Sequence, residues 1–515
     1  MLQIVCPSTL LPSSKLLFVG ESPGREECAV GRGFIGPAGR VLQRACKLAG
    51  LEWDHLSLSN VVKRPPDGGY SSEHFRKTFY ETQETPIITK TGKVSKKVRR
   101  VTSETTELLA WYGVLRDEIS KLRPALVVAV GGEACRALTN CPEIHNWRGS
   151  IIESTLVPGT KVLPVVHPSF IQRGQWSDFW PLVWDLKKAK REGEFPEIRR
   201  EPYEEIIPDT VEQVQAIVQR ITGRWSLDIE TRGGSIACIG LGYREGHGYR
   251  GLCIPLQTTR GVRWQLGEEQ KVWQSLDRLC KSNPFLVGQN LTYDLDYLKD
   301  YGIRPVGIHM DTMIAHCLLY PDWTKGYKGL DFLTSFYLDD VPYYKSDGKT
   351  WGHKTANEDL WRYNIKDCVH TLRVSEKIEE QLVARGLWKR YQEEITPLIW
   401  LALEMQERKL PVNDTNRLVL DRILQGELVS VHRALTDAVG HEINTESPKQ
   451  IQDLLYNALR LPIRHKKGTG KITADENALR ELRTVYPHPV LDLIIKERHL
   501  QKRLGTFIQC ELEDA

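Results

Sequence analysis

Asp228 and Glu230 stand two residues apart in the apolar stretch Trp225-Ser-Leu-Asp-Ile-Glu230. A strand repeats every two residues, so both carboxylates point to one face. Side by side they repel unless a divalent cation sits between them. Asn290 and Asp294, in Gly288-Gln-Asn-Leu-Thr-Tyr-Asp294, are spaced i, i+4, as are Tyr363 and Asp367 in Tyr363-Asn-Ile-Lys-Asp367. On a helix each pair shares a face. Hard oxygen donors of this kind suit Mg²⁺ or Mn²⁺. Two such ions about 3.5–4 Å apart activate water and stabilise the leaving oxygen of a phosphodiester. The Tyr363 phenol is placed to orient the attacking water. Any one of these pieces alone reads as an ordinary surface carboxylate; the three together in this order do not.

A second set lies nearer the N-terminus. Gly20-Glu-Ser-Pro-Gly24 follows the strand-like run Lys15–Gly20, and Gly31-Arg-Gly-Phe-Ile-Gly-Pro-Ala-Gly39 leads into a helix. Asn60 follows Leu56-Ser-Leu-Ser, and His167 follows Val162-Leu-Pro-Val-Val. In a parallel sheet these strand ends meet at one crevice, where α/β proteins bind ligands. Glu21, Phe34, Asn60 and His167 then line one pocket. An aromatic stacks on a flipped base, an amide reads its edge, and an imidazole stabilises charge at a cleaved bond. Each also has a plainer reading: Phe34 as core, Asn60 as a turn cap, His167 before Pro168 as a turn residue.

The positioning elements follow from periodicity and punctuation. In the first segment, strands at 15–20, 56–62, 124–131 and 161–166 alternate with helices at 40–50 and 107–122. That alternation predicts an α/β domain with a largely parallel sheet. The second segment opens with a helix at 211–221, continues through the strand at 225–230 and a hairpin at 240–254, and then carries helical patterns at 291–300, 311–319 and 357–382. It predicts an α/β domain with a mixed sheet. From about Thr396 the pattern is helical throughout. The expected domains are 1–190, 208–392 and 393–515, with a charged linker at 191–207.

The chain has 515 residues, with 70 Lys+Arg against 66 Asp+Glu and a net charge of +4. This near-balance excludes a polybasic protein; affinity for nucleic acid must come from local patches. The 11 cysteines are odd in number and contain no Cys-x-x-Cys, which predicts a reducing, cytoplasmic compartment. No apolar run approaches the roughly 20 residues of a membrane span. No basic n-region precedes the first strand, so no signal peptide is expected.

The segment from about Pro208 to Leu387 resembles the proofreading 3′–5′ exonuclease domain of family A DNA polymerases, the DnaQ-like DEDDy class with a ribonuclease H-like fold. It carries Asp228-x-Glu230, Asn290-x-x-x-Asp294, Tyr363-x-x-x-Asp367 and the intervening Met310-Asp-Thr-Met313. The resemblance implies that Asp228, Glu230, Asp294 and Asp367 are ligands of two divalent ions and that Tyr363 positions the nucleophilic water. It also implies that Gln289, Asn290 and Tyr293 border a single-stranded 3′ end.

Residues 15–188 resemble family 4 uracil-DNA glycosylases through Gly20–Glu27, Gly31–Gly39, Asn60-Val-Val-Lys63 with Arg64-Pro-Pro66, and His167-Pro-Ser-Phe170. The resemblance implies that Phe34 stacks on uracil, Asn60 bonds its polar edge and His167 stabilises the leaving anion, with Glu21 and Glu27 at acidic positions of the first motif. Members of that family hold an iron–sulfur cluster on four cysteines. Here only Cys6 stands near the start and no cysteine lies between Cys46 and Cys135, so no iron–sulfur cluster is expected. An insertion at 64–106 carries Lys90, Lys93, Lys96, Lys97, Arg99 and Arg100, either a phosphate contact or a solvated hairpin.

From Thr396 the chain resembles the start of the family A polymerase region, the thumb. The matching pieces are Leu403–Asn413, Asn444-Thr-Glu-Ser-Pro-Lys-Gln450, Ile472–Glu476 and Lys496–Lys502. There Lys466, Lys467, Lys471, Lys496 and Lys502 are either phosphate contacts with primer–template duplex or a solvated face. No palm or fingers pattern follows, so the chain is expected not to polymerise alone. It is either a fragment or one half of a split polymerase whose partner subunit supplies them. A glycosylase-like N-terminus points to bacteriophage-type polymerases.

Overall fold

The computed structural model of the chain describes residues 4–65, 76–88, 94–141, 143–323, 326–346, 357–466 and 471–510, with backbone alone at 76–88 and 94–103. Two compact units result, Met1–Glu407 and Arg408–Ala515. Among the described residues, no helix is long and apolar enough to cross a membrane.

Among the described residues, the larger unit holds a five-stranded sheet, a six-stranded sheet and two two-stranded ribbons. The first domain is built on Leu16–Gly20, which pairs in parallel with Ser57–Asn60 on one side and Leu126–Val130 on the other. Lys161–Val165 continues the parallel order, and the short antiparallel strand Ile152–Glu153 closes the edge. The central strands Leu16–Gly20 and Leu126–Val130 are buried along their whole length, as their apolar runs require. Pro37–Ala49 and Phe179–Glu192 cover one face, while Thr106–Leu122 and Gly132–Thr139 cover the other. The insertion forms an antiparallel hairpin, Arg76–Ile88 with Val94–Glu104; Lys90 and Lys93 lie outside the described residues.

The second domain carries a six-stranded mixed sheet. Ser235–Glu245 runs antiparallel to both Trp225–Arg232 and Gly248–Pro255. Leu286–Gly288 and Ile308–Asp311 extend it in parallel beyond Trp225–Arg232. The long helix Asn357–Ala384 crosses this sheet at close range. Gly240 and Gly242 permit that approach. A Cβ at Gly240 would meet the Asn364 amide and lie 2.5 Å from Cys368 Sγ, and one at Gly242 would lie 2.8 Å from the Cys368 backbone.

Two expected boundaries move. The stretch at 191–207 is no free linker. Lys161 Nζ donates to Phe195 O at 2.8 Å, Arg200 Nη2 donates to Ile151 O at 2.7 Å, and Tyr203–Ile206 joins the second sheet beside Gly248–Pro255. Charge density suggested a free solvated stretch, but Arg200 donates to backbone carbonyls and Arg191 pairs with the Asp339 carboxylate, which ties the stretch down. The helical unit also starts later than 393. Ile399 and Leu403, on Thr396–Arg408, pack into the core of the second domain.

In the helical unit, Asp414–Val439 and Pro489–Arg503 enclose a core of Leu435, Ile451, Leu479, Leu491 and Ile494. The Asn444–Gln450 motif is a cap. Asn444 Oδ1 accepts from Glu446 N, Gln450 Oε1 accepts from Asn444 N, and buried Thr445 donates to Glu497. Lys466, Lys471, Lys496 and Lys502 are exposed, while Lys467 lies outside the described residues.

Candidate active sites

Asp228, Glu230 and Asp367 converge in the second domain, each offering an oxygen within 4.8 Å of the others. Two come from one strand and the third from the crossing helix, as period two and the i, i+4 spacing require. The Asn364 amide donates to Asp228 Oδ2 at 2.8 Å and to its carbonyl at 3.1 Å, fixing the carboxylate. Burial first, and then the neighbouring carboxylates, push Asp228 up to about 7 and Glu230 up to about 9. A site that resists its own negative charge this strongly fits a divalent cation, and its donors are all hard oxygens.

Asp294 stands against Asp228, and burial followed by that neighbour raises its pKa well above the usual range. One of its oxygens is spent: Oδ1 accepts from Ile229 N at 2.8 Å, stitching the helix Leu291–Asp300 to the strand Trp225–Arg232. Asn290 does not share a helix face with it. It precedes the helix in the left-handed region, φ 61°, which asparagine tolerates better than most residues. Gln289 is engaged internally, donating to Lys328 O at 2.8 Å and accepting from Thr312 Oγ1, which leaves its amide little for a ligand. Asn290 and Tyr293 remain exposed, with the Tyr293 hydroxyl 3.1 Å from Thr231 Oγ1.

Four residues at or beneath this site were not singled out from sequence. Fully buried Asp311, in the Met310-Asp-Thr-Met313 stretch, accepts from Asn290 N and Leu291 N as well as Met313 N and Ile314 N. It joins two helix starts. Asn364 is spaced i, i+3 from Asp367, so the helical face was a readable signal. Tyr344 and Lys345 come from an irregular segment with no periodic signal. Tyr344 OH donates to Asp367 Oδ1 at 2.7 Å, and Lys345 Nζ donates to Asp367 Oδ2 at 2.5 Å and to Tyr363 OH at 2.8 Å. Burial opposes the Lys345 charge, but Asp367 and then Tyr363 outweigh it and hold the ammonium protonated.

In the first domain, Gly20 and Asn60 are register partners at adjacent strand ends. A Cβ at Gly20 would lie 2.5 Å from Asn60 Oδ1 and 2.8 Å from the Phe34 ring, so glycine is needed for the approach. Phe34, Asn60 and His167 line one cavity of about 510 Å³, while Glu21 lines an adjoining one of about 530 Å³ that also reaches His167. The four residues therefore divide between two connected cavities. Glu27 borders the first but is a loop anchor: its Oε1 accepts from Gly36 N at 2.8 Å. His167 Nδ1 accepts from Ser169 N, which leaves the proton on Nε2. Burial, and then Arg173, hold this imidazole neutral, down at about 4. Its Nε2–H is left as a neutral donor.

Three family models match in tandem: "Uracil DNA glycosylase superfamily" over residues 7–187, "3′-5′ exonuclease" over 224–383, and "DNA polymerase family A" over 418–513. Successive segments of the chain are thus similar to the glycosylase superfamily and to the exonuclease and polymerase parts of family A. DNA polymerase I of Borreliella burgdorferi is 26% identical over 282 residues, 54% of this chain and 30% of that protein. Type-4 uracil-DNA glycosylase of Thermotoga maritima is 28% identical over 181 residues, 34% of this chain and 77% of that protein. The chain spans less than a third of the length of the polymerase relatives. The POL domain of Pol1 from M. smegmatis, solved with DNA primer-template and dNTP, aligns at 17% identity and a TM-score of 0.42 over 58% of this chain and 48% of that one, too distant a likeness to argue from.

Proposed function

We propose that this chain acts on DNA in replication or repair and that its exonuclease domain removes nucleotides from single-stranded 3′ ends, the proofreading direction. One observation carries the reading: the oxygens of Asp228, Glu230 and Asp367 within 4.8 Å of one another. Asp228, Glu230 and Asp367, with the second oxygen of Asp294, would hold the divalent ions. Bound there, Mg²⁺ or Mn²⁺ supplies Lewis acidity to the phosphodiester and lowers the pKa of water. The protein's own groups do the rest. Asn364 holds Asp228, Tyr363 aims its hydroxyl at the attacking water, and exposed Tyr293 and Asn290 border the strand end. The test is a 5′-labelled single-stranded oligonucleotide with Mg²⁺. A ladder shortening from the 3′ end, silenced by EDTA, supports the reading; an oligonucleotide left intact opposes it.

For the glycosylase-superfamily domain the supported reading is a flipped-base pocket. Phe34 supplies the stacking face, Asn60 the edge-reading amide, and neutral His167 an N–H donor for the departing base. No cation is needed for that step. The Asn60 side chain makes no hydrogen bond among the described residues, which suits an amide kept for a ligand.

A further inference from the structure

The segment 338–345 makes contact with both domains. Its first half is held by residues of the glycosylase-superfamily domain and its trailing stretch. Lys188 Nζ donates to Leu338 O at 2.9 Å, Arg191 makes a two-pronged pair with Asp339 at 2.8 and 3.0 Å, and Arg200 Nη1 donates to Asp340 O at 2.7 Å. Tyr343 N donates to Ser150 Oγ at 3.0 Å, and its ring meets Trp147 edge-on at 5.4 Å. The next two residues are Tyr344 and Lys345, which occupy both oxygens of Asp367 and the hydroxyl of Tyr363.

We propose that segment 338–345 is a strap through which the glycosylase-superfamily domain positions Tyr363 and Asp367 of the exonuclease, with Lys345 as the positioning cation. The proposal rests on the exonuclease reading above. The physical argument is a division of labour. Asp228 is held by the Asn364 amide and Asp294 by the Ile229 N–H, while Asp367 and Tyr363 take hydrogen bonds from the strap. A hydroxyl that must aim a water needs such support, since small misplacements cost large factors in rate. Lys345 also sets a fixed positive charge on an oxygen that a divalent ion would claim. It therefore helps the geometry and opposes loading of the metal at the same time. A merely structural lysine would not separate these two effects.

The test uses the full chain with Mn²⁺ as the probe. In Lys345→Met, kcat on single-stranded DNA at saturating Mn²⁺ should fall roughly 10- to 100-fold. Mn²⁺ affinity, read by electron paramagnetic resonance without DNA, should stay the same or tighten, because a competing cation is gone. Lys345→Arg should recover most of the rate. Releasing the strap from the other side, with Arg191→Ala and Arg200→Ala together, should lower kcat in the wild-type background. In the Lys345→Met background the same pair should have little further effect, since both changes act through one strap. Unchanged kcat in Lys345→Met, or weaker Mn²⁺ binding in step with a lower melting temperature, would overturn the proposal. So would full additivity of the two sets of changes. Wild-type protein that neither binds Mn²⁺ nor shortens DNA would instead reject the exonuclease reading itself.

Discussion

Tyr363 and His167 each make a separate prediction. Tyr363 sits i, i+4 from Asp367, and its hydroxyl accepts from Lys345 Nζ at 2.8 Å. Tyr363→Phe should slow exonuclease turnover roughly 10²-fold while leaving Mn²⁺ affinity within a small factor. If the phenylalanine variant bound Mn²⁺ as poorly as Asp367→Ala, a ligand role would replace the water-aiming one. His167 is already neutral in the folded chain, with a pKa near 4. Base excision should show no inflection from His167 between about pH 5.5 and 8. A rate that rises or falls around pH 6.5 and loses that feature in His167→Asn would contradict a neutral donor.

At the scale of elements, the close crossing of Asn357–Ala384 over Ser235–Glu245 couples stability to the site. Gly240→Ala would push on Asn364, which holds Asp228. We expect a loss of about 1–3 kcal/mol together with a fall in exonuclease rate, measured by denaturant unfolding and turnover on one preparation. Retained rate with reduced stability would show that Asn364 is not needed for Asp228. Buried His316 and His370 add an acid sensitivity. Burial first holds them neutral, down at about 4 and about 3. The unfolded chain, with histidines near 6.5, takes up protons first as pH falls. Their contribution is thus complete above pH 6.5 and is lost progressively toward about pH 4 for His316 and about pH 3 for His370. The melting temperature should drop over that window, and His316→Asn, which keeps a polar partner for Tyr337 but cannot charge, should flatten the drop.

The same elements show how far the sequence could be read. Period two placed Asp228 with Glu230, and period 3.6 placed Tyr363 with Asp367. Parallel-sheet logic brought Phe34, Asn60 and His167 to one cavity. Those inferences rest on local repeats that tertiary packing preserved. Asn290 departed because the residue before a helix is not on it, and Gln289 because its amide found partners in its own fold. Tyr344 and Lys345 left no trace in the pattern: an irregular segment acquires its role only from what it packs between. Charge at 191–207 misled for the same reason, since whether an arginine meets water or a carbonyl is decided at a distance in sequence.

For the molecule as a whole, one chain carries two candidate chemistries with opposite metal demands. Base excision should persist in EDTA, which removes the ions that the exonuclease requires. Uracil-containing single-stranded DNA treated in EDTA and then with alkali should break at uracil, and Asn60→Ala should prevent it. Intact strands would leave the first domain as a DNA-holding module. Protein purified without oxygen should contain no stoichiometric iron or sulfide, because the cysteine positions of the type-4 pattern are not filled. Cys6, the one cysteine near the start, lies with Lys63 O accepting from its N–H at 3.0 Å.

The central claim is that three clustered carboxylates make a metal-dependent nuclease, and the measurement closest to it pairs binding with turnover. Mn²⁺ affinity and 3′-end shortening of single-stranded DNA should be followed in wild type and in Asp228→Ala/Glu230→Ala, with melting curves for both. The account predicts an unchanged or raised melting temperature, since two mutually repelling carboxylates are gone. It also predicts lost Mn²⁺ binding and a turnover reduced by roughly 10³-fold or more, the several kcal/mol such an ion supplies. A double variant that still binds Mn²⁺ and shortens DNA at the wild-type rate would contradict it.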